Sequence, residues 1–249
     1  MLTKKELQKY DRQILIPGFG KAGQEKLKKA RVFIAGAGGL GSPAAIYLAA
    51  AGAGTLRIAD RDTVDIANLN RQVLHGEKDV GKKKVASAAA TLKKLNPDIR
   101  IETIDKTITE SNAAELVGDS DLIIDALDNL KTRYLLNLIA LKKKIPFIHG
   151  AVYGFEGRAM TVIPGESACL YCVYHGADVP GGKFPVIGVT PAVIGCIQAT
   201  EAIKYLTGLG QLLTNRLLCY DGLAMKFTEF SVKRDPACAQ CGETAGRRK

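Results

Sequence analysis

Residues 31–52 read RVFIAGAGGLGSPAAIYLAAAG: an apolar run, a glycine cluster and an alanine-rich stretch. Val32–Ala35 has the composition of a buried strand and Gly39–Ala51 that of a helix. Between them, Gly36, Gly38 and Gly41 fit the spacing G-x-G-x-x-G. Glycine supplies positive φ and lets backbone approach a phosphate. The N-terminus of the following helix adds unpaired N–H groups and a positive dipole. A strand, glycine turn and helix in this order open a nucleotide-binding α/β fold. The turn suits the pyrophosphate of a dinucleotide and the phosphates of ATP equally, so the ligand must be read from the rest of the chain.

Outward from this unit the alternation continues. Thr55–Ala59 reads as a second strand ending at Asp60, Val80–Leu95 as a helix stopped by Asn96-Pro97, and Ile99–Ile104 as a third strand. Asp121–Ala126, a helix over Asn129–Leu141, and Pro146–His149 complete five strands, with an amphipathic helix at Phe19–Ala30 leading in. This is the pattern of a Rossmann-like α/β fold, a mostly parallel sheet with helices on both faces. After about residue 150 the character changes. Ala151–Pro164 reads as two strands joined around Gly154–Gly157, Pro191–Leu206 as a helix closed by Gly208, and Leu217–Tyr220 and Met225–Val232 as further strands. These predict an antiparallel C-terminal extension. The Gly/Pro-rich segment Gly176–Gly188 is expected to be a mobile connection. One domain spanning 1–249 is expected, with a nucleotide-binding half (1–150) and a modified second half (151–249).

At 249 residues, 47% hydrophobic and 24% charged, the chain has the composition of a soluble globular protein. No apolar run approaches the roughly 20 residues that span a bilayer. The opening MLTKKELQKYDRQ has no apolar signal core, so a cytoplasmic protein with no membrane partner is expected. The net charge of +10 comes largely from short clusters (Lys26, Lys28 and Lys29; Lys82–Lys84; Lys142–Lys144; Arg247, Arg248 and Lys249), which read as solvated helix faces and a basic tail. With no Trp, 6% aromatics and no interleaving of basic and aromatic residues, nucleic acid is disfavoured as a partner.

Asp60 stands where a carboxylate accepts hydrogen bonds from a ribose hydroxyl, which fits a nicotinamide dehydrogenase as well as an ATP enzyme. The following segment, DRDTVDIANLNRQVL (60–74), is a polar loop where a dehydrogenase would carry a simple crossover helix. Asn68, Arg71 and Gln72 reach toward a phosphate chain from here, Lys84 follows in VGKKKV, and Asp128 follows the fourth strand in ALDN. Taken singly, Asn68 caps a turn, Arg71 and Lys84 are surface charges, and Asp128 caps a helix. Together they place cations and a carboxylate able to hold Mg²⁺ around a nucleotide, which suits chemistry on phosphate.

Four of the six cysteines form C-x-x-C pairs, Cys169–Cys172 and Cys238–Cys241. Two residues between thiolates let both sulfurs face one tetrahedral ion, and four such ligands make a closed structural zinc site, with free thiols or a redox pair as the alternative. Cys196 and Cys219 read as small buried hydrophobes.

DRQILIPGFG, GAGGLG, the D-x-D-x-V…N-L-x-R-Q segment, VGKKKV, ALDN, the two cysteine pairs and QATEAIKYLTG run in order over nearly the whole chain. Together they resemble the MoeB/ThiF/HesA family, relatives of ubiquitin-activating enzymes. The resemblance implies a homodimeric enzyme that binds ATP·Mg²⁺ and adenylates the C-terminal glycine of a ubiquitin-like sulfur-carrier protein ending in Gly-Gly. It implies that Gly36, Gly38, Gly39 and Gly41 cradle the nucleotide and Asp60 takes the ribose. Asn68, Arg71, Gln72 and Lys84 would position and neutralise the phosphates, and Asp128 would hold Mg²⁺. Arg12, in YDRQ, would reach the phosphates from the other subunit. The second half of the chain would receive the carrier, and Cys169, Cys172, Cys238 and Cys241 would bind structural zinc.

The chain departs from ThiF-type members in having no cysteine in GADVPGGKFPVIGVTP (176–191). A covalent link to the carrier there is not expected, and sulfur would come from a separate sulfurtransferase or cysteine desulfurase. Lys183 is assigned no catalytic role, and Gly181-Gly182 is expected to move over the bound carrier tail. ATP-dependent activation of a tRNA or peptide on the same fold, a nicotinamide oxidoreductase and a nucleotide-binding scaffold are the competing readings.

Overall fold

Along the central strands the apolar side chains fall into two alternating sets, and the computed structural model, which describes residues 1–177 and 184–242, shows what each set meets. Strands β1 (Arg31–Ala35), β2 (Thr55–Ala59), β3 (Arg100–Ile104), β4 (Leu122–Asp125), β5 (Phe147–Tyr153), β6 (Glu156–Val162), β7 (Arg216–Asp221) and β8 (Lys226–Ser231) form one eight-stranded sheet. Its order is β3-β2-β1-β4-β5-β6-β7-β8, parallel from β3 to β5 and antiparallel from β5 to β8. The helices are α1 (Lys4–Lys9), α2 (Asp11–Ile14), α3 (Gly20–Lys29), α4 (Gly41–Ala51), α5 (Lys84–Leu95), α6 (Ala113–Val117), α7 (Leu130–Lys143), α8 (Leu170–Tyr174) and α9 (Val189–Thr207).

Val32, Ile34, Leu56, Ile58, Leu122 and Ile124 pack with residues of α4, α5 and α9 on one face. Phe33, Ala35, Ile123 and Phe147 pack with residues of α6, α7 and α8 on the other. The period-2 alternation of a strand covered on both faces explains why these segments read as unbroken apolar runs. The sequence-predicted Rossmann-like sheet and its antiparallel extension are therefore present. No helix among the described residues is long and apolar enough to cross a membrane.

The structure departs from the expectations in several places. Helix α5 starts at Lys84 instead of Val80, because Gly81 takes φ +83° and Lys83 bridges to Thr63. β5 runs unbroken from Phe147 to Tyr153 through Gly150, where an added Cβ would stand 2.6 Å from Cδ of Gln198 on α9. Glycine inside that strand marks the close approach of a helix, not a turn. The segment Phe184–Gly188 is pinned to the β5–β6 turn, with the Gly154 N–H donating to the Pro185 carbonyl at 2.7 Å. Gly181, Gly182 and Lys183 lie outside the described residues, as do Arg247, Arg248 and Lys249. Cys196 and Cys219 are half-buried, not fully buried.

Candidate functional site

After β1 the chain builds β2 and β3 to one side, then returns to place β4 on the other. The carboxyl ends of β1 and β4 therefore diverge, and open α/β sheets bind ligands at such a switch point. A cleft of about 930 Å³ opens there. It brings together nine sequence-predicted residues: Gly36, Gly38, Gly39, Asp60, Asn68, Arg71, Gln72, Lys84 and Asp128. Gly41 and Arg12 do not line it. Arg12 is exposed on α2.

The floor is the glycine turn. Gly36 has φ +103°, and a Cβ there would stand 2.6 Å from the Ala126 carbonyl oxygen. Gly41 is required by packing: its Cβ would lie 1.9 Å from the Gly36 oxygen. A Cβ on Gly38 would meet nothing nearer than Gln72 Nε2 at 3.6 Å, so the protein's own packing does not demand glycine there. The cleft over Gly38 is the space a ligand would use. No side chain caps the N-terminus of α4; the Ser42 N–H donates to the Gly38 carbonyl at 2.9 Å and Pro43 has no N–H, so what this end offers an anion is its dipole and the glycine turn in front of it.

One residue of this turn, Ala37, is gripped by both its N–H and its carbonyl. The Ala37 N–H donates to Asp60 Oδ2 at 2.8 Å, and the Ala37 carbonyl meets His75 Nε2 at 3.0 Å. Because that carbonyl can only accept, Nε2 carries the proton and Nδ1 faces the Ser87 hydroxyl at 2.9 Å as an acceptor. Burial pushes the His75 pKa below its ordinary value and keeps the ring neutral. Asp60 also receives the Asp62 N–H at 2.9 Å, so it orders the turn while retaining lone pairs for a ribose.

Lys84 opens α5 and is only 6% exposed. Its Nζ reaches the more exposed Asp62 carboxylate at 2.9 Å. Arg71 donates to the Ala67 carbonyl at 2.8 Å and Asn70 Oδ1 at 3.0 Å, and has no carboxylate partner among the described residues. Asn68 caps a short 3₁₀ turn by receiving the Asp65 N–H at 3.2 Å. Gln72 is buried, and its Oε1 has no hydrogen-bond partner among the described residues. A donor on a bound nucleotide would satisfy it.

Across the cleft, Asn129 caps α7 by accepting the Thr132 N–H at 2.9 Å. Asp128 is thereby relieved of capping. It stays exposed, and its one hydrogen bond among the described residues comes from Asn129 Nδ2 at 3.4 Å, which leaves the carboxylate able to hold a cation. Sequence reasoning missed Asp62, His75 and the buried group under the Asp128 loop: Asp125, Arg133 and His149. The D-x-D spacing carried a signal for Asp62. For the buried group no local signal exists.

The two cysteine pairs come together although 65 residues separate them in sequence. All four Sγ atoms lie within 4.8 Å of one another, with Cys169–Cys172 at 3.9 Å, Cys169–Cys238 at 3.7 Å and Cys172–Cys241 at 3.4 Å. A tetrahedral ion with Zn–S bonds of about 2.3 Å has sulfur–sulfur edges of about 3.8 Å, so the residues present fit zinc. Burial pushes the Cys169 thiol up and Cys241 up to about 11, a crowding of thiols that a divalent ion relieves. None of the cysteines is paired in a disulfide.

The model of the ThiF family matches residues 10–240. The chain belongs to the ThiF family. It is 44% identical to the SAMP-activating enzyme E1 of Haloferax volcanii, over 97% of this chain and 91% of that protein. It is 40% identical to the sulfur carrier protein adenylyltransferase of Thermus thermophilus, over 99% of this chain and 95% of that protein. The E. coli MccB structure with ATP superposes with a TM-score of 0.79 at 25% identity, covering 89% of this chain and 69% of that one. ThiF family membership displaces the nicotinamide oxidoreductase reading of the glycine turn.

Proposed function

We propose that this chain adenylates the C-terminal glycine carboxylate of a ubiquitin-like sulfur-carrier protein, using ATP·Mg²⁺. The observation that carries this reading is the buried Lys84 and the Arg71 guanidinium, which has no carboxylate partner among the described residues, lining a glycine-floored cleft with the exposed Asp128. Cations on one wall and a carboxylate on the other suit a polyphosphate, whereas hydride transfer needs neither.

Gly36, Gly38 and Gly39, with the uncapped α4 N-terminus, would cradle the phosphates, and Gly41 would keep the turn close-packed. Asp60 would take the ribose. Asn68, Arg71, Gln72 and Lys84 would orient and neutralise the phosphate chain. Asp128 would hold Mg²⁺, which supplies further neutralisation of phosphate charge. In the reaction a glycine carboxylate oxygen attacks the α-phosphorus, the bond to the bridging oxygen breaks, and pyrophosphate departs with its electron pair. Two anions must meet for this, so positioning and charge screening are the protein's main contribution.

Exposed Leu15 and Ile16 beside Arg12 support a homodimer in which Arg12 serves the partner's cleft. The tips of β5–β6 and β7–β8 adjoin, with the Gly222 N–H donating to the Phe155 carbonyl at 2.9 Å. They expose Tyr153, Phe155, Leu223 and Met225, an apolar surface that suits a docked carrier at residues 151–249. With no cysteine in 176–191 the product is a free acyl-adenylate, passed in the cytoplasm to a sulfurtransferase or cysteine desulfurase. The cysteine cluster would hold zinc as a structural clip.

Exchange of labelled pyrophosphate into ATP tests the reading. Exchange should require Mg²⁺ and a carrier ending in Gly-Gly. Exchange driven instead by a peptide or tRNA would refute the carrier assignment.

A further inference from the structure

Two sets of buried and part-buried hydrogen bonds run from residues beside the cysteine cluster to the Asp128 loop. The first runs through β5. Tyr174 ends α8, two residues after Cys172, and its hydroxyl meets His149 Nε2 at 3.2 Å. His149 is fully buried, and its Nδ1 meets Asp125 Oδ2 at 2.7 Å. An ionised Asp125 only accepts, so Nδ1 carries the proton and Nε2 accepts from the Tyr174 hydroxyl. Asp125 Oδ1 in turn receives the Leu127 N–H at 3.2 Å.

The second set runs through α7. Asn137 Oδ1 receives the Leu170 N–H at 3.1 Å, and its Nδ2 donates to Gln240 Oε1 at 2.5 Å. It thereby touches the neighbours of both cysteine pairs. One turn earlier on the same helix, Arg133 donates to the Leu127 carbonyl and stands 3.5 Å from Asp125 Oδ2. Leu127, immediately before Asp128, is held by its N–H and its carbonyl together. Ala37 of the glycine turn is gripped in the same way by Asp60 and His75.

We propose that Tyr174, His149, Asp125 and Arg133 are positioning residues that hold Asp128 in its cation-binding place from the cysteine cluster, so that the cluster tunes Mg²⁺-dependent nucleotide binding as well as clipping the chain. The proposal rests on Asp128 being the Mg²⁺ ligand. Groups packed this deeply keep few alternative arrangements, so loosening one end is transmitted to the other. Tyr174→Phe removes the one hydroxyl in the path and leaves the ring against His149, where the centroids are 5.7 Å apart.

Calorimetric titration with ATP, with Mg²⁺ and in Mg²⁺-free buffer, tests this on the full chain, with zinc content measured for every variant. Wild type should bind ATP more tightly with Mg²⁺, and D128N should lose that gain. Y174F should lose roughly fivefold of it, the worth of one hydrogen bond, at unchanged zinc content and unchanged Mg²⁺-free affinity. Combined with D128N, Y174F should cost nothing more, because both act on the same contact. His149→Asn keeps a donor for Asp125 but lacks Nε2, and should repeat the Y174F result. If D128N loses the Mg²⁺ gain while Y174F and H149N keep it, the positioning role is overturned and the Asp128 assignment stands. An equal loss with and without Mg²⁺, or an additive loss in D128N, also overturns it. If D128N keeps the gain, the assignment of Mg²⁺ to Asp128 fails and the proposal falls with it.

Discussion

Two glycines three residues apart in the turn should respond oppositely to the same substitution. In Gly41→Ala the new methyl would stand 1.9 Å from the Gly36 oxygen and 2.9 Å from its carbonyl carbon. The first distance is more than 1.5 Å inside a normal contact of about 3.5 Å, and both atoms are backbone, so no rotamer change relieves it. Overpacking costs about 1–3 kcal/mol, and a backbone clash belongs at the upper end. The helix propensity of alanine returns at most about 1 kcal/mol. The net is roughly 2 kcal/mol, or about 4–8 °C in Tm for a chain of this length. In Gly38→Ala the methyl meets only Gln72 Nε2 at 3.6 Å, an ordinary contact, so Tm should move by less than about 2 °C. That methyl fills the cleft floor and withdraws a phosphate from its charge-assisted hydrogen bonds, each worth about 1.5–3 kcal/mol, so ATP affinity should fall at least tenfold. Thermal unfolding by circular dichroism and ATP titration read both variants. Equal destabilisation by the two, or a G38A variant that binds ATP like wild type, would refute this account of the turn.

Lys84→Met should reduce pyrophosphate exchange by about a hundredfold or more, the loss expected when one charge-stabilising donor is removed. Asp62→Asn leaves the buried Lys84 cation without its partner, and chemical denaturation should show a loss of about 1–3 kcal/mol. Burial lowers the pKa of both His75 and His149, so the native state stays neutral where the unfolded chain protonates. Their contribution is complete above about pH 6.5 and is lost as pH falls through their lowered folded values; calorimetry in two buffers at pH 6 should find protons taken up on unfolding, and replacing either histidine should reduce that uptake. The Gly76 N–H and Lys82 hold Asp79 down to about 2, so its stabilisation is present above about pH 4 and lost toward pH 2. Asp79→Asn should flatten that acid limb of the Tm–pH curve. Cys238→Ala should abolish the single zinc per chain found by elemental analysis and lower Tm.

The central strands were legible because strands covered on both faces leave unbroken apolar runs, as in Leu122–Ile124, punctuated by glycine or Asp. Thr55–Ala59 matches its expected bounds for this reason. Helices α1, α2, α6 and α8 were not expected, since four to six residues carry no helical period. Between the two cysteines of Cys169-Leu-Tyr-Cys172, metal-ligand spacing hid the α8 turn that carries Tyr174. Cleft residues in the polar loop 60–74 were readable because that loop has no core to serve. Asp125, His149 and Arg133 were not, for the opposite reason. They lie inside strands and a helix, and only the pairing of β4 with β5 brings Asp125 beside His149. The uncommitted state of Asp128 became visible only when Asn129 proved to be the α7 cap.

Intact-mass spectrometry of a Gly-Gly-ended carrier, incubated with this protein, ATP and Mg²⁺, tests the central claim most directly. The carrier should gain one AMP on its terminal carboxylate, lose it on mild base treatment, and gain none when the last glycine is deleted or when D128N replaces wild type. An AMP found on this chain instead, or on a carrier lacking its terminal glycine, would contradict the account.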